Sequence, residues 1–91
     1  MGLRIEGVTR KHFKRILYNE QIYVRTNEPV INGIAKALVT CAWFTEGSYY
    51  LISDYIFGDG KDTSIIGDDG EHCGVDSKFS GTDFHYYKLK E

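Results

Sequence analysis

Thr45-Glu46-Gly47-Ser48-Tyr49-Tyr50-Leu51-Ile52-Ser53-Asp54-Tyr55-Ile56-Phe57 is the stretch whose reading decides the fold. Its first four residues are a turn cluster. The run that follows is mostly aromatic, β-branched or aliphatic, the side chains that fit a pleated, half-buried surface. The preceding segment, Ile34 to Phe44, is ambiguous alone: Ile34-Ala35-Lys36-Ala37-Leu38 suits a helical turn, whereas Val39-Thr40-Cys41-Ala42-Trp43-Phe44 suits a strand. The turn and strand after it favour strand throughout, so the two runs are expected to form a central hairpin.

Outward from this hairpin, Gln21-Ile22-Tyr23-Val24-Arg25 reads as a strand, and Thr26-Asn27-Glu28-Pro29, which holds the single proline, reads as a loop. On the other side, Gly58, Gly60, Gly67, Gly70 and Gly74 fall among acidic residues and mark turns. A short strand at Thr63-Ser64-Ile65-Ile66 fits between them. Asp69-Gly70 is a favoured hairpin-turn pair leading into Glu71-His72-Cys73-Gly74-Val75, and Asp83 to Leu89 forms a last strand. Near the start, Thr9 can cap a helix running through about Asn19, with Val8 and Phe13 placed as a hydrophobic staple and Phe13, Ile16 and Leu17 sharing one face. The expected fold is therefore α+β: one N-terminal amphipathic helix packed on a curved, mainly antiparallel sheet of five or six strands, either open or approaching a small, partly open barrel.

Ninety-one residues suffice for one hydrophobic core and are too few for two, so residues 1–91 are expected to form a single domain. Apolar residues at 42% and charged residues at 26% place the chain among globular proteins rather than disordered ones. The longest mainly apolar stretch, 34–44, is about half the length of a membrane span. The N-terminus lacks an apolar signal region, and two cysteines are fewer than a secreted scaffold of this size usually carries. A cytoplasmic location with reduced thiols is expected.

The net charge of −2 is unevenly distributed. Residues 1–45 carry seven Lys or Arg against three acids, a balance of +4, and residues 46–91 carry four lysines against ten acids, a balance of −6. Arg10, Lys11, Lys14 and Arg15 cluster on the expected helix, with like charges at i, i+4 and cations in the first turn, where the helix dipole opposes them. Such a cluster suits a solvated face or, with Arg25 on the next strand and Trp43 to stack on a base, a site for an anion or a nucleotide-derived ligand.

The acidic loops containing Asp59, Asp62, Asp68, Asp69 and Glu71 do not fit a calcium loop: setting Gly70 at its central glycine puts Ile65 and Gly67 where oxygen ligands belong. They suit solvated turns or an acidic docking surface. Adjacent strand residues face opposite sides, so one of Tyr49 and Tyr50, and one of Tyr86 and Tyr87, is expected to pack inward while its neighbour meets solvent or a partner. His72, Cys73 and His85 lack zinc-site spacing, and Cys73 with His85 as base needs the fold to bring them together. No catalytic residue, metal or cofactor is expected.

These features favour a small non-enzymatic binding protein that docks on a macromolecular target through Asp59, Asp62, Asp68, Asp69, Glu71, Tyr49 and Tyr87. Size and the lack of a catalytic set suggest a phage or mobile-element inhibitor acting on a host protein or nucleoprotein complex of a defence system, in the anti-CRISPR manner. The alternative is a nucleotide-ligand binder using Arg10, Lys11, Lys14, Arg15, Arg25 and Trp43 across a homo-oligomer interface.

Overall fold

The computed structural model of the chain describes residues 3, 5, 7–8, 15–57 and 60–90, with the side chains of 7, 8, 56, 57, 60 and 61 left aside. Eight strands follow in order: β1 (Gly7–Val8), β2 (Arg15–Tyr18), β3 (Gln21–Thr26), β4 (Ile34–Ala37), β5 (Tyr49–Phe57), β6 (Gly60–Ile66), β7 (His72–Gly74) and β8 (Phe84–Leu89). They make one antiparallel sheet in the order β1-β2-β3-β8-β4-β5-β6-β7. A single 3₁₀ turn, Ser77–Phe79, is the only helical element among the described residues.

The expected N-terminal helix is therefore corrected, and with it the α+β class. Residues 9–14 of that segment lie outside the described residues, but Arg15, Ile16, Leu17 and Tyr18 are strand, with Ile16 buried and Leu17 exposed. A helix would have put both on one face; period-2 alternation separates them. Asn19 and Glu20 both have positive φ, 53° and 63°, and join β2 to β3 as a two-residue turn with Tyr18 opposite Gln21. Two consecutive left-handed residues match the twist of a tight hairpin. An isolated helix of this length is marginal in water, so pairing with β1 and β3 decides the outcome.

The segment 34–44 is likewise strand only as far as Ala37. There the Ala37 amide donates to the Ser48 carbonyl at 2.9 Å, and the Ala37 carbonyl accepts from the Gly47 amide at 2.9 Å, closing a wide loop over residues 38–48. Strand β5 pairs with β4 through Tyr49–Leu51 and with β6 through Ile52–Phe57, so it belongs to two parts of the sheet. The change of partner falls at Gly33, whose carbonyl accepts from the Ile52 amide at 2.8 Å.

Both faces of the sheet are covered. On one face Ile16, Tyr23, Ile34 and Tyr87 form a core, with Leu3, Ile5, Tyr18 and Tyr49 packed against it. The described residues before β2 border this core: Leu3 bridges Tyr49 on β5, and Gly7–Val8 pair with β2. The chain thus touches both ends of the run β2-β3-β8-β4-β5, which gives that half a barrel-like closure. On the other face Ala35, Ala37, Tyr50, Ile52, Ile65, Phe84 and Tyr86 meet Phe44 from the 38–48 loop and Val75 from the segment after β7. Tyr49 and Tyr50 do face opposite sides, as do Tyr86 and Tyr87, yet Tyr50, Tyr86 and Tyr87 are all buried because each side has its own core. No helix among the described residues is long and apolar enough to cross a membrane.

Candidate functional site

The 38–48 loop is anchored at its base and folded so that Phe44 plugs the second core, its ring 4.7 Å from that of Phe84. Anchoring Phe44 inward leaves Trp43 outward: it is 50% exposed, the most exposed of the large apolar side chains among the described residues. Beside it lies a groove of about 250 Å³ lined by Val39, Trp43, Phe44, Phe79 and Phe84, with Cys41, Cys73 and Asp83 on its walls. An apolar cleft with few polar groups is the usual form of a recognition pocket.

The 67–71 turn is docked on the same loop. The Asp68 amide donates to the Trp43 carbonyl at 2.7 Å, and the Asp68 carboxylate accepts from the hydroxyls of Thr45 at 2.7 Å and Tyr50 at 3.0 Å. The Tyr50 oxygen in turn accepts from the Thr45 amide at 2.9 Å. Asp69 closes the turn by accepting from the Glu71 amide at 3.0 Å. Asp68, Asp69 and Glu71, with Glu46 next to Thr45, are exposed, and the Asp68 amide ties their turn to the backbone of Trp43. At the Phe79 wall the Lys78 ammonium sits 5.3 Å over the Phe79 ring.

The Thr45 hydroxyl, and after it Tyr50, hold the Asp68 carboxyl below its ordinary value of 3.8. A depressed folded value means that this carboxylate stabilises the fold above its unfolded pKa and that the contribution is lost as pH falls through the folded pKa. Wild-type thermal stability is therefore expected to drop on acidification below about pH 4. Asp68→Asn is expected to be less stable at neutral pH and to show a shallower acid limb, Asp76 retaining part of it through the Lys78 amide. An acid limb of unchanged steepness in thermal melts of Asp68→Asn would contradict this role.

The residues read from the sequence are divided by the fold. Asp68, Asp69 and Glu71 share the turn bonded to the Trp43 backbone, while Asp62 lies on the opposite face of β6, across from Tyr55, and Asp59 lies outside the described residues. Tyr87 is 2% exposed and Tyr49 packs against the barrel core, so neither ring belongs to an open contact surface. Of the anion constellation, the described members Arg15, Arg25 and Trp43 do not come together. Arg10, Lys11 and Lys14 lie outside the described residues; Arg15 and Arg25 point to opposite faces, being paired with Val24 and Tyr87; and Trp43 is across the sheet from Arg25.

Cys73 lines the groove and His85 shares the barrel-side face with Tyr87, so the sheet separates this thiol from this imidazole. Burial pushes the Cys73 thiol up, and Cys41 and Asp69 push it the same way, which disfavours the thiolate. Cys41 is exposed, and its sulfur accepts from the Trp43 amide at 3.4 Å. Among the described residues no three His, Cys, Asp or Glu side chains group as a metal centre.

Two arrangements were not foreseen. Ser64 Oγ lies 3.0 Å from His72 Nδ1, and the His72 ring stacks on Tyr55 with centroids 3.8 Å apart. Ser64 is completely buried, so the pair closes the β5-β6-β7 surface and offers no accessible nucleophile. The second is the contact of Trp43 with Asp68, residues far apart in the chain. The Asp69-Gly70 turn and Trp43 were each visible in sequence, but nothing local states that they adjoin.

Comparison of the chain with family models, with curated proteins and with solved structures finds no match.

Proposed function

We propose that the chain is a small non-enzymatic binding domain that docks a basic segment of a partner protein, seating an apolar side chain of that segment in the Trp43 groove. The observation carrying this reading is the pairing of a half-exposed tryptophan at an apolar groove with an acidic turn hydrogen-bonded to its own carbonyl. Tryptophan is the residue type most enriched among binding hot spots, and such anchors work best within a rim that excludes water. The turn bonded to Trp43 is acidic, which favours Lys or Arg beside the apolar anchor and speeds encounter with a basic partner. The setting proposed is the cytosol, where both thiols stay reduced. The inhibitor role expected from chain size adds a biological context to this docking mode and rests on no surface feature.

Selection of random peptides displayed against the wild-type domain tests the reading. Enriched sequences are expected to combine Lys or Arg with one large apolar residue and to be lost against an Asp69→Lys, Glu71→Lys variant that still folds. Enrichment of acidic sequences, or equal enrichment on that variant, would overturn it.

A further inference from the structure

At one mouth of the barrel-like half, three cation-bearing residues converge on adjacent strands. Lys36 on β4 is directly opposite His85 on β8 and Tyr49 on β5; Arg25 on β3 is directly opposite Tyr87 on β8, two residues from His85. The period of two puts Arg25, Tyr87, His85, Lys36 and Tyr49 on one face. The Lys36 ammonium lies 5.7 Å from the Tyr49 ring centroid. Among the described residues the Arg25 Nε is buried with no hydrogen-bond partner, while the rest of the guanidinium hydrogen-bonds the Tyr87 hydroxyl. In the strand register the cross-strand neighbours of Lys36 and His85, and that of Arg25 on β8, are tyrosines or one another, with no carboxylate among them. A guanidinium N–H left unsatisfied in a buried position beside a second cation is costly, and an anion supplies the missing acceptor and the countercharge.

We infer that this mouth is a binding site for a tetrahedral oxyanion of the phosphate class, held by the Arg25 guanidinium and the Lys36 ammonium with His85 as a third donor. Arginine presents a planar fork that matches phosphate oxygens, lysine adds a point charge, and barrel mouths are common places for small ligands. Among the described residues, the titratable groups facing the site are Arg25 from β3, Lys36 from β4, Tyr49 from β5, and His85 and Tyr87 from β8. Burial, followed by the charges of Arg25 and Lys36, lowers the His85 pKa, so His85 is neutral at physiological pH in the free protein. A bound dianion reverses the sign of that field. Binding therefore draws a proton onto His85 and tightens as pH falls towards 6.

The experiment is an NMR titration of the full chain with inorganic phosphate, with glycerol phosphate, and with sulfate, whose charge is constant over this pH range, against chloride at equal ionic strength. Saturable shifts of the His85 ring and the Arg25 Nε–H, and a rise in the His85 pKa with sulfate, are expected. Lys36→Gln removes a partly exposed charge, so it keeps the fold and is expected to weaken binding at least about tenfold. Tighter binding of glycerol phosphate than of phosphate assigns the site to an ester-borne phosphate, and equal binding to the free ion. Shifts no larger than those of chloride, or undiminished in Lys36→Gln, would overturn the proposal.

Discussion

Gly33→Ala is expected to be more damaging than a methyl added at Gly47, Gly67, Gly70 or Gly81. A Cβ at this position would stand 2.5 Å from the Tyr87 carbonyl oxygen and 2.8 Å from that of Val30, both backbone atoms. Neither can yield cheaply. Val30 O accepts from the Gly33 amide at 2.7 Å, and Tyr87 lies in the middle of β8, opposite Ile34 and Arg25. Relief would push β4 away from β8 at the point where β5 changes partner, opening both cores together. Overpacking in compliant sites costs about 1–3 kcal/mol, and a clash with fixed backbone lies at or above the top of that range. For a domain of this size that is a fall in Tm of at least about 12 °C. Gly81→Ala is the comparison: its φ of 83° makes alanine strained, but nothing stands within 4 Å, so a cost near 1 kcal/mol is expected. Equal thermal stability of the two variants would contradict the role given to Gly33.

The second large effect is expected at Gly67, and it couples stability to the groove. Its Cβ would meet the Trp43 carbonyl oxygen at 2.5 Å. That oxygen accepts from the Asp68 amide, so the acidic turn must back away and loosen the Thr45 and Tyr50 hydroxyls from Asp68 as well. Gly67→Ala should therefore cost about 2–3 kcal/mol, from one lost backbone hydrogen bond, weakened carboxylate bonds and local strain. It should also change Trp43 emission, since the backbone that carries the indole is displaced. Trp43 is the single tryptophan, so the signal is unambiguous. Wild-type emission and melting temperature in Gly67→Ala would contradict the docking of the turn on Trp43.

How far these features could be read in advance depended on whether their cause was local. The strands at Gln21, Tyr49, Thr63 and the C-terminus declared themselves through β-branched and aromatic runs between turn residues. Arg15-Ile16-Leu17-Tyr18 did not, because a four-residue strand satisfies a helical face as easily as an alternating one, and Asn19-Glu20 is a weaker turn signal than Asn-Gly. The tyrosine pairs show the same limit. Opposite orientation follows from the pleat, but burial of Tyr86 and Tyr87 together requires a second core, which is a property of the whole sheet. At the groove, Asp68, Asp69, Glu71 and Trp43 were each chosen from sequence for unrelated reasons. Only the long-range bond between the Asp68 amide and the Trp43 carbonyl makes them one surface. Arg25, Lys36 and His85 are joined solely by the register of β3, β8 and β4, which no local pattern encodes.

Intrinsic fluorescence of Trp43 during titration with a selected basic peptide tests the central claim most directly. Binding is expected to shift the emission to shorter wavelength as the half-exposed indole is covered. Replacement of Trp43 by alanine, followed with a labelled peptide, is expected to weaken binding by at least about 30-fold, or ~2 kcal/mol. Saturable binding that leaves Trp43 emission unchanged and survives Trp43→Ala would place the working surface elsewhere on the domain.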